Sequence, residues 1–119
     1  MYEDLIEKAL FARKNSHSPY SKFKVGVALL TKDNKVYTGA NVECSSYSLT
    51  ICAERVAAVK AITDKHKVFK AVAIASSGKE LIFPCGACRQ FLSEFSDNMD
   101  VILIKSKNDY QIYKLQNLF

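Results

Sequence analysis

No stretch of this chain approaches the roughly 20 consecutive apolar residues that a membrane-spanning helix needs. Internal repeats, low-complexity segments and linkers are also missing, and prolines and glycines are few, at two and four. These absences argue against a spanning protein, a repeat array or a flexible tail. Histidine is scarce too: His17 and His66 both sit in polar contexts and read as exposed rather than metal-bound. Residues Met1 to Asp4 are acidic instead of signal-like, so a cytoplasmic protein without a membrane partner is expected. The net charge of +5 would suit a nucleic-acid binder, yet Lys and Arg are scattered from Lys8 to Lys114. A solvated basic surface, with no nucleic-acid partner, is the reading that follows. What is present is enough for one ordinary core: 119 residues at 49% hydrophobic content indicate a single domain, 1–119.

Tyr2 to Lys14 places Leu5, Ile6, Ala9 and Leu10 at helical spacing, and Asn15, Ser16, Ser18 and Pro19 end the pattern. Lys24 to Leu30 and Lys35 to Gly39 flank the polar turn Lys32-Asp33-Asn34, which predicts a β-hairpin. From Cys52 an alanine-rich helix runs through Ala57, Ala58 and Ala61. Phe69 to Ala75 is a continuous apolar run short enough for a buried strand. Pro84-Cys85-Gly86 opens a further helix through Phe95, Val101 to Ile104 is another buried strand, and Tyr110 to Leu115 alternates like an edge strand. The order predicts a three-layer α/β fold: a mixed sheet of about five strands with helices on both faces. Right-handed crossovers put the helices starting at Cys52 and Cys85 side by side, their N-termini at one edge of the sheet.

That topology gathers three thiols, Cys52, Cys85 and Cys88, each at or just before the first turn of a helix. Helix N-termini favour thiolates, and thiolates bind zinc. Three protein ligands leave a fourth position for water, which separates a catalytic zinc site from a closed structural one. Glu54, two residues after the first ligand, is placed to exchange protons with that water without ligating the metal. Three thiolates around one divalent ion sum to a net negative centre, and Arg55 and Arg89 follow the ligands closely enough to offset it through hydrogen bonds to sulfur. Cys85-x-x-Cys88 alone could also be redox-active or half of a structural knuckle, with Cys44 as a fourth ligand. That alternative leaves Glu54 and Arg55 without a role, and Cys44 reads better as a small buried residue.

Cys52-Ala53-Glu54-Arg55 and Pro84-Cys85-Gly86-Ala87-Cys88-Arg89-Gln90 resemble the paired motifs of the small homotetrameric zinc-dependent cytidine deaminases. Ser18 to Gly26 looks like that family's N-terminal loop and first strand, and Gly39-Ala40-Asn41-Val42-Glu43 with Ser46, Tyr47 and Thr50 looks like its nucleoside-binding segment. The resemblance implies a cytidine deaminase-like fold, one zinc per chain on Cys52, Cys85 and Cys88, and Glu54 shuttling protons between water, N3 and the leaving amine, as is known for zinc deaminases. It further implies that Asn41 and Glu43 hold the ribose 3′-hydroxyl and that Phe23 packs against the nucleoside. Backbone groups of Ala53 and Pro84 would read the pyrimidine edge. Ser45, Ser46, Tyr47 and Phe119 would reach sites shared between subunits of a homotetramer. Two positions depart from the pattern: Cys44-Ser45 replaces an Asn-Ala pair, and the terminal Phe119 lacks its usual nearby proline.

The expected activity is hydrolytic deamination of free cytidine and deoxycytidine in pyrimidine salvage. A deaminase of a blasticidin-type antibiotic shares the metal motifs, but a drug without an ordinary ribose has no use for the Asn41 and Glu43 pair. A structural zinc module binding RNA is the alternative from another class, and it has no use for an open zinc position beside a carboxylate.

Overall fold

The computed structural model describes residues 1–119. Helix α1 (Glu3–Ala12) starts with Glu3 and Asp4, whose charge suits a helix N-terminus, and buries Leu5, Ile6, Ala9 and Ala12 along one stripe. Strands β1 (Val25–Thr31) and β2 (Val36–Ala40) form the expected antiparallel hairpin, with Leu30 paired to Val36 beside a turn in which Asn34 adopts φ 64°. Asparagine tolerates that left-handed conformation better than most residues do. Helix α2 (Ala53–Thr63), strand β3 (Phe69–Ser76), helix α3 (Gly86–Ser93), and strands β4 (Ser96–Ser106) and β5 (Asp109–Lys114) follow.

The five strands lie in the order β2-β1-β3-β4-β5. β1 runs antiparallel to both its neighbours, β3 and β4 are parallel, and β5 returns antiparallel at the edge. β2, β3 and β4 therefore point the same way, and α2 and α3, which follow β2 and β3, both begin at the same end of the sheet. Strand alternation separates two apolar layers. Val27, Leu29, Val72, Ile74, Val101 and Leu103 face Ala53, Ala57, Ala58, Ala61 and Leu92 of α2 and α3. Ala28, Ala71, Ala73, Ala75, Ile102 and Ile104 face Tyr2, Leu5, Ile6 and Ala9 on the α1 side. The three-layer mixed sheet is thus the expected fold.

Most boundaries differ by one or two residues, α1 ending at Ala12 instead of Lys14, and β4 differs most. α3 ends at Ser93 instead of Phe95, and β4 begins five residues before the apolar run, at Ser96. Phe69 pairs with Ser96 and Ala71 with Asp100, so the register shifts across this early part of β4, where Asn98 has φ 67°. The irregularity interrupts the side-chain alternation that a hydropathy reading relies on.

One close approach fixes where α2 begins. A Cβ on Gly39 of β2 would lie 2.6 Å from the Ala53 carbonyl oxygen and 2.7 Å from the Ala57 amide nitrogen. Both obstacles are backbone atoms, which cannot rotate aside. Gly39→Ala is expected to destabilise the fold by about 3 kcal/mol, the upper end of overpacking effects. A urea midpoint equal to that of the unsubstituted protein would show that this contact is not tight.

Candidate metal centre

Cys52 is the N-cap of α2 and Cys85 the N-cap of α3, both with extended backbone. Cys88 lies in the first turn of α3, fully buried, and its amide donates to the Cys85 Sγ at 3.4 Å. The parallel strands thus bring together two helix starts that are 33 residues apart in sequence. The Cys52 and Cys85 sulfurs are 3.8 Å apart, and all three sulfurs lie within 4.8 Å of one another. Tetrahedral zinc with bonds of about 2.3 Å to sulfur separates two sulfurs by about 3.8 Å, so the donor set fits the ion in spacing and in chemistry.

The electrostatics agree. Cys52 is pulled down to about 5, first by its hydrogen bond with Cys88 and then by the Arg55 guanidinium, whose Nη2 donates to its sulfur at 3.5 Å. Cys88 is pushed up by the proton it shares with Cys52 and by burial. A divalent cation binds the thiolate form, so its binding releases the thiol protons that remain. Neither Arg55 nor Arg89 forms an ion pair with a carboxylate, and the buried Nε of each has no hydrogen-bond partner. Both arginines are half-buried: Arg55 reaches the Cys52 sulfur, where three thiolates on a divalent cation would make a negative centre for it, whereas Arg89 hydrogen-bonds the Leu118 carbonyl in place of the expected sulfur.

Glu54, in the first turn of α2, is 6% exposed, and its carboxyl is pushed up to about 7, chiefly by burial and further by the nearby Cys52 thiolate. A carboxyl poised near neutrality is suited to both accepting and donating a proton. Glu54 lines a cavity of roughly 180 Å³ together with Cys52, Cys85, Ala53 and Asn41. The remaining walls are Val25, Thr50, Ile82 and Phe83. Thr50 belongs to the segment that resembles a nucleoside-binding one, whereas the sequence by itself assigns no site role to Val25, Ile82 and Phe83. The apolar pair Ile82-Phe83 next to Pro84-Cys85 was the available signal, since residues adjoining a helix-capping ligand must border the same opening.

Asn41 and Glu43 are held by a network absent from the sequence reading. Asn41 Oδ1 accepts from the Val25 amide at 2.9 Å and from Ser16 Oγ at 2.6 Å, and its Nδ2 donates to the Phe23 carbonyl at 2.9 Å. Glu43 Oε1 accepts from the amides of Tyr20 and Ser21, each at 3.1 Å, and Oε2 accepts from Ser21 Oγ. These bonds, the Ser21 hydroxyl first, hold the Glu43 carboxyl below the usual carboxylate range. Asn41 borders the cavity, whereas Glu43 and Phe23 do not line it. Phe23 packs at the rim of the core, its ring close against Gly78, and Pro84 is buried.

Ser45, Ser46 and Tyr47 are exposed on the loop and 3-10 turn before α2 and do not line the cavity. Phe119 is also exposed and lies over Arg89, whose carbon Cζ is 5.8 Å from the ring and whose Nη1 donates to the Leu118 carbonyl. Cys44 is outside the sulfur cluster and only half-buried, which corrects its reading as a buried residue. Its amide donates to Thr50 Oγ1 at 3.1 Å. His17 is exposed as expected, whereas His66 is half-buried, bonded to Asp33 at 3.0 Å and packed near Tyr37.

A family model for the cytidine and deoxycytidylate deaminase zinc-binding region matches residues 1–104. A cytidine deaminase of Sporosarcina psychrophila is 46% identical over 110 residues, covering 92% of this chain and 81% of that protein. Among solved structures, a cytidine deaminase from Burkholderia pseudomallei superposes with a TM-score of 0.93 at 39% identity, over 100% of this chain and 96% of the other. One from Mycobacterium tuberculosis gives 0.85 at 32% identity, over 98% and 92%. A matching fold, a sulfur triangle of zinc dimensions and this extent of likeness together establish that the chain belongs to the cytidine and deoxycytidylate deaminase family.

Proposed function

We propose that residues 1–119 form one catalytic domain that hydrolyses the 4-amino group of free cytidine and deoxycytidine, giving the uracil nucleoside and ammonia. The observation that carries this reading is the shared cavity. One opening is bordered by the candidate metal ligands Cys52 and Cys85, the proton-poised Glu54 and the side-chain amide of Asn41. Zinc, held by Cys52, Cys85 and Cys88, supplies the Lewis acidity that makes water nucleophilic near neutral pH. Glu54 takes one proton from the attacking water and delivers it to N3 of the base, then takes the second from the hydroxyl now on C4 and delivers it to the departing amine, so that the C4 carbonyl forms as ammonia leaves. Ala53, as the first residue of α2, has an amide without an intrahelical acceptor, which suits it to reading the pyrimidine edge along with the Pro84 carbonyl. Phe23 packs against the nucleoside.

The hydrogen-bond inventory supports a sugar grip. With Val25 and Ser16 on Oδ1 and Phe23 on one Nδ2 proton, Asn41 retains one donor. Glu43, with about four acceptor positions, retains one on Oε2. One donor and one acceptor match a single hydroxyl, here the ribose 3′-hydroxyl. An ultraviolet assay should therefore show deamination of cytidine and deoxycytidine, with 3′-deoxycytidine used at least about a hundredfold less well. Glu43→Ala should erase most of that discrimination. Equal use of cytidine and 3′-deoxycytidine by the unsubstituted protein would remove Asn41 and Glu43 from this role.

The protein is further read as a cytoplasmic homotetramer with no nucleic-acid partner. No helix is long and apolar enough to cross a membrane. Val42, Tyr47, Leu49, Ile51 and Val59 are apolar yet exposed, which supports burial against other subunits. In that assembly Ser45, Ser46, Tyr47 and Phe119 border sites shared between chains, and a monomer with full activity in sedimentation would overturn it.

A further inference from the structure

We propose that Ser21 is a positioning residue for nucleoside binding, its hydroxyl tying the Glu43 carboxylate to the loop that carries Phe23. This rests on the reading of Asn41 and Glu43 as the sugar grip and adds a residue to it.

Ser21 is the one side chain that touches both parts. Its Oγ donates to Glu43 Oε2, and the same oxygen accepts from the Phe23 amide at 3.0 Å. A serine hydroxyl has a single proton, so donation to Glu43 leaves its lone pairs for Phe23 and fixes the direction of both bonds. The Ser21 amide adds a second tie, to Glu43 Oε1 at 3.1 Å. Between Ser21 and Phe23 stands Lys22 at φ 63°, a left-handed conformation that a lysine rarely adopts and that persists only where surrounding bonds hold it. The hydroxyl bridge across Lys22, with the Lys22 amide bonded to the Ser18 carbonyl at 3.0 Å, supplies that restraint. On its far side the turn is fixed by Lys24, whose amide donates to Ser77 Oγ at 3.0 Å, and by the Phe23 ring against Gly78.

Asn41 differs in this respect. Its amide orientation is already set by the Val25 amide and the Phe23 carbonyl, so Ser16 only adds to a settled arrangement. The Oε2 of Glu43, which is the oxygen with a position left for a ligand, has Ser21 Oγ as its only protein partner. Without that hydroxyl, Oε2 has two open positions and no fixed direction, and the Phe23 amide loses its acceptor. Substrate binding weakens, while the zinc ligands and Glu54 are untouched.

Ser21→Ala is therefore expected to raise KM for cytidine about tenfold with kcat within about twofold, the size of one lost hydrogen bond to a charged group. The cytidine over 3′-deoxycytidine ratio of kcat/KM should fall by a similar factor. Ser21→Thr, which keeps the hydroxyl, should restore both. Zinc content should match the unsubstituted protein, because Ser21 is exposed and distant from the ligating cysteines in the chain. A Ser21→Ala protein with unchanged KM and unchanged ratio, while Glu43→Ala loses its discrimination, would overturn the role of Ser21 and leave the sugar grip standing. An unsubstituted protein indifferent to the 3′-hydroxyl would overturn the grip, and Ser21 with it.

Discussion

Glu54→Gln keeps its zinc and loses turnover by at least about 10²- to 10⁴-fold, the range associated with removing a positioned proton carrier. The substitution preserves the size of a side chain that is 6% exposed, so the packing of α2 survives it. What it removes is ionisation. The glutamate carboxyl, pushed up to about 7 by burial, can hold or release a proton at neutral pH, and an amide can do neither. Metal analysis and steady-state kinetics on the same preparation separate the two functions. Zinc near one per chain with kcat reduced and KM little changed is the expected pair of results. Near-native turnover would remove Glu54 from the chemistry, and loss of zinc would recast it as a ligand.

Cys88→Ala is expected to lose zinc, activity and the stabilisation that zinc provides. Cys88 is fully buried and its sulfur closes the triangle with Cys52 and Cys85, so no solvent-exposed neighbour can replace it. A ligand that binds only the folded state at a thousand times its dissociation constant adds about 4 kcal/mol, so a chelator should lower the melting temperature of the unsubstituted protein by on the order of 10–20 °C. The Cys88→Ala protein should melt at the same temperature with and without chelator. Cys52→Ala should behave likewise, while Cys44→Ala, outside the cluster, should retain zinc and activity. A chelator-sensitive melting curve and full zinc content in Cys88→Ala would show that the metal is held elsewhere.

The metal centre was legible because its determinants are local or follow from chain topology. Cys85 and Cys88 are three residues apart at a helix start, and Glu54 is two from Cys52. Only the gap between the two motifs needed the fold, and parallel strands followed by helices on one face close it in a single way. The strand pattern was legible where side chains alternate or run apolar. It failed at Ser96 to Asp100, where backbone pairing with β3 continues through polar residues and a shifted register.

Composition and spacing by themselves therefore determined the layered fold, the three thiols at two helix starts and the carboxyl beside them. Tertiary structure alone decided the rest: that Asn41 and Glu43 are bound to the loop from Ser16 to Val25, that Ile82 and Phe83 wall the cavity, that Arg89 is fastened to the Leu118 carbonyl, and that Cys44 stays apart. The reason is the range of the interactions. Periodicity and helix capping act within a few residues and leave a trace in the sequence, whereas a side-chain hydrogen bond across 16 to 29 residues depends on which loops the packed sheet brings into contact.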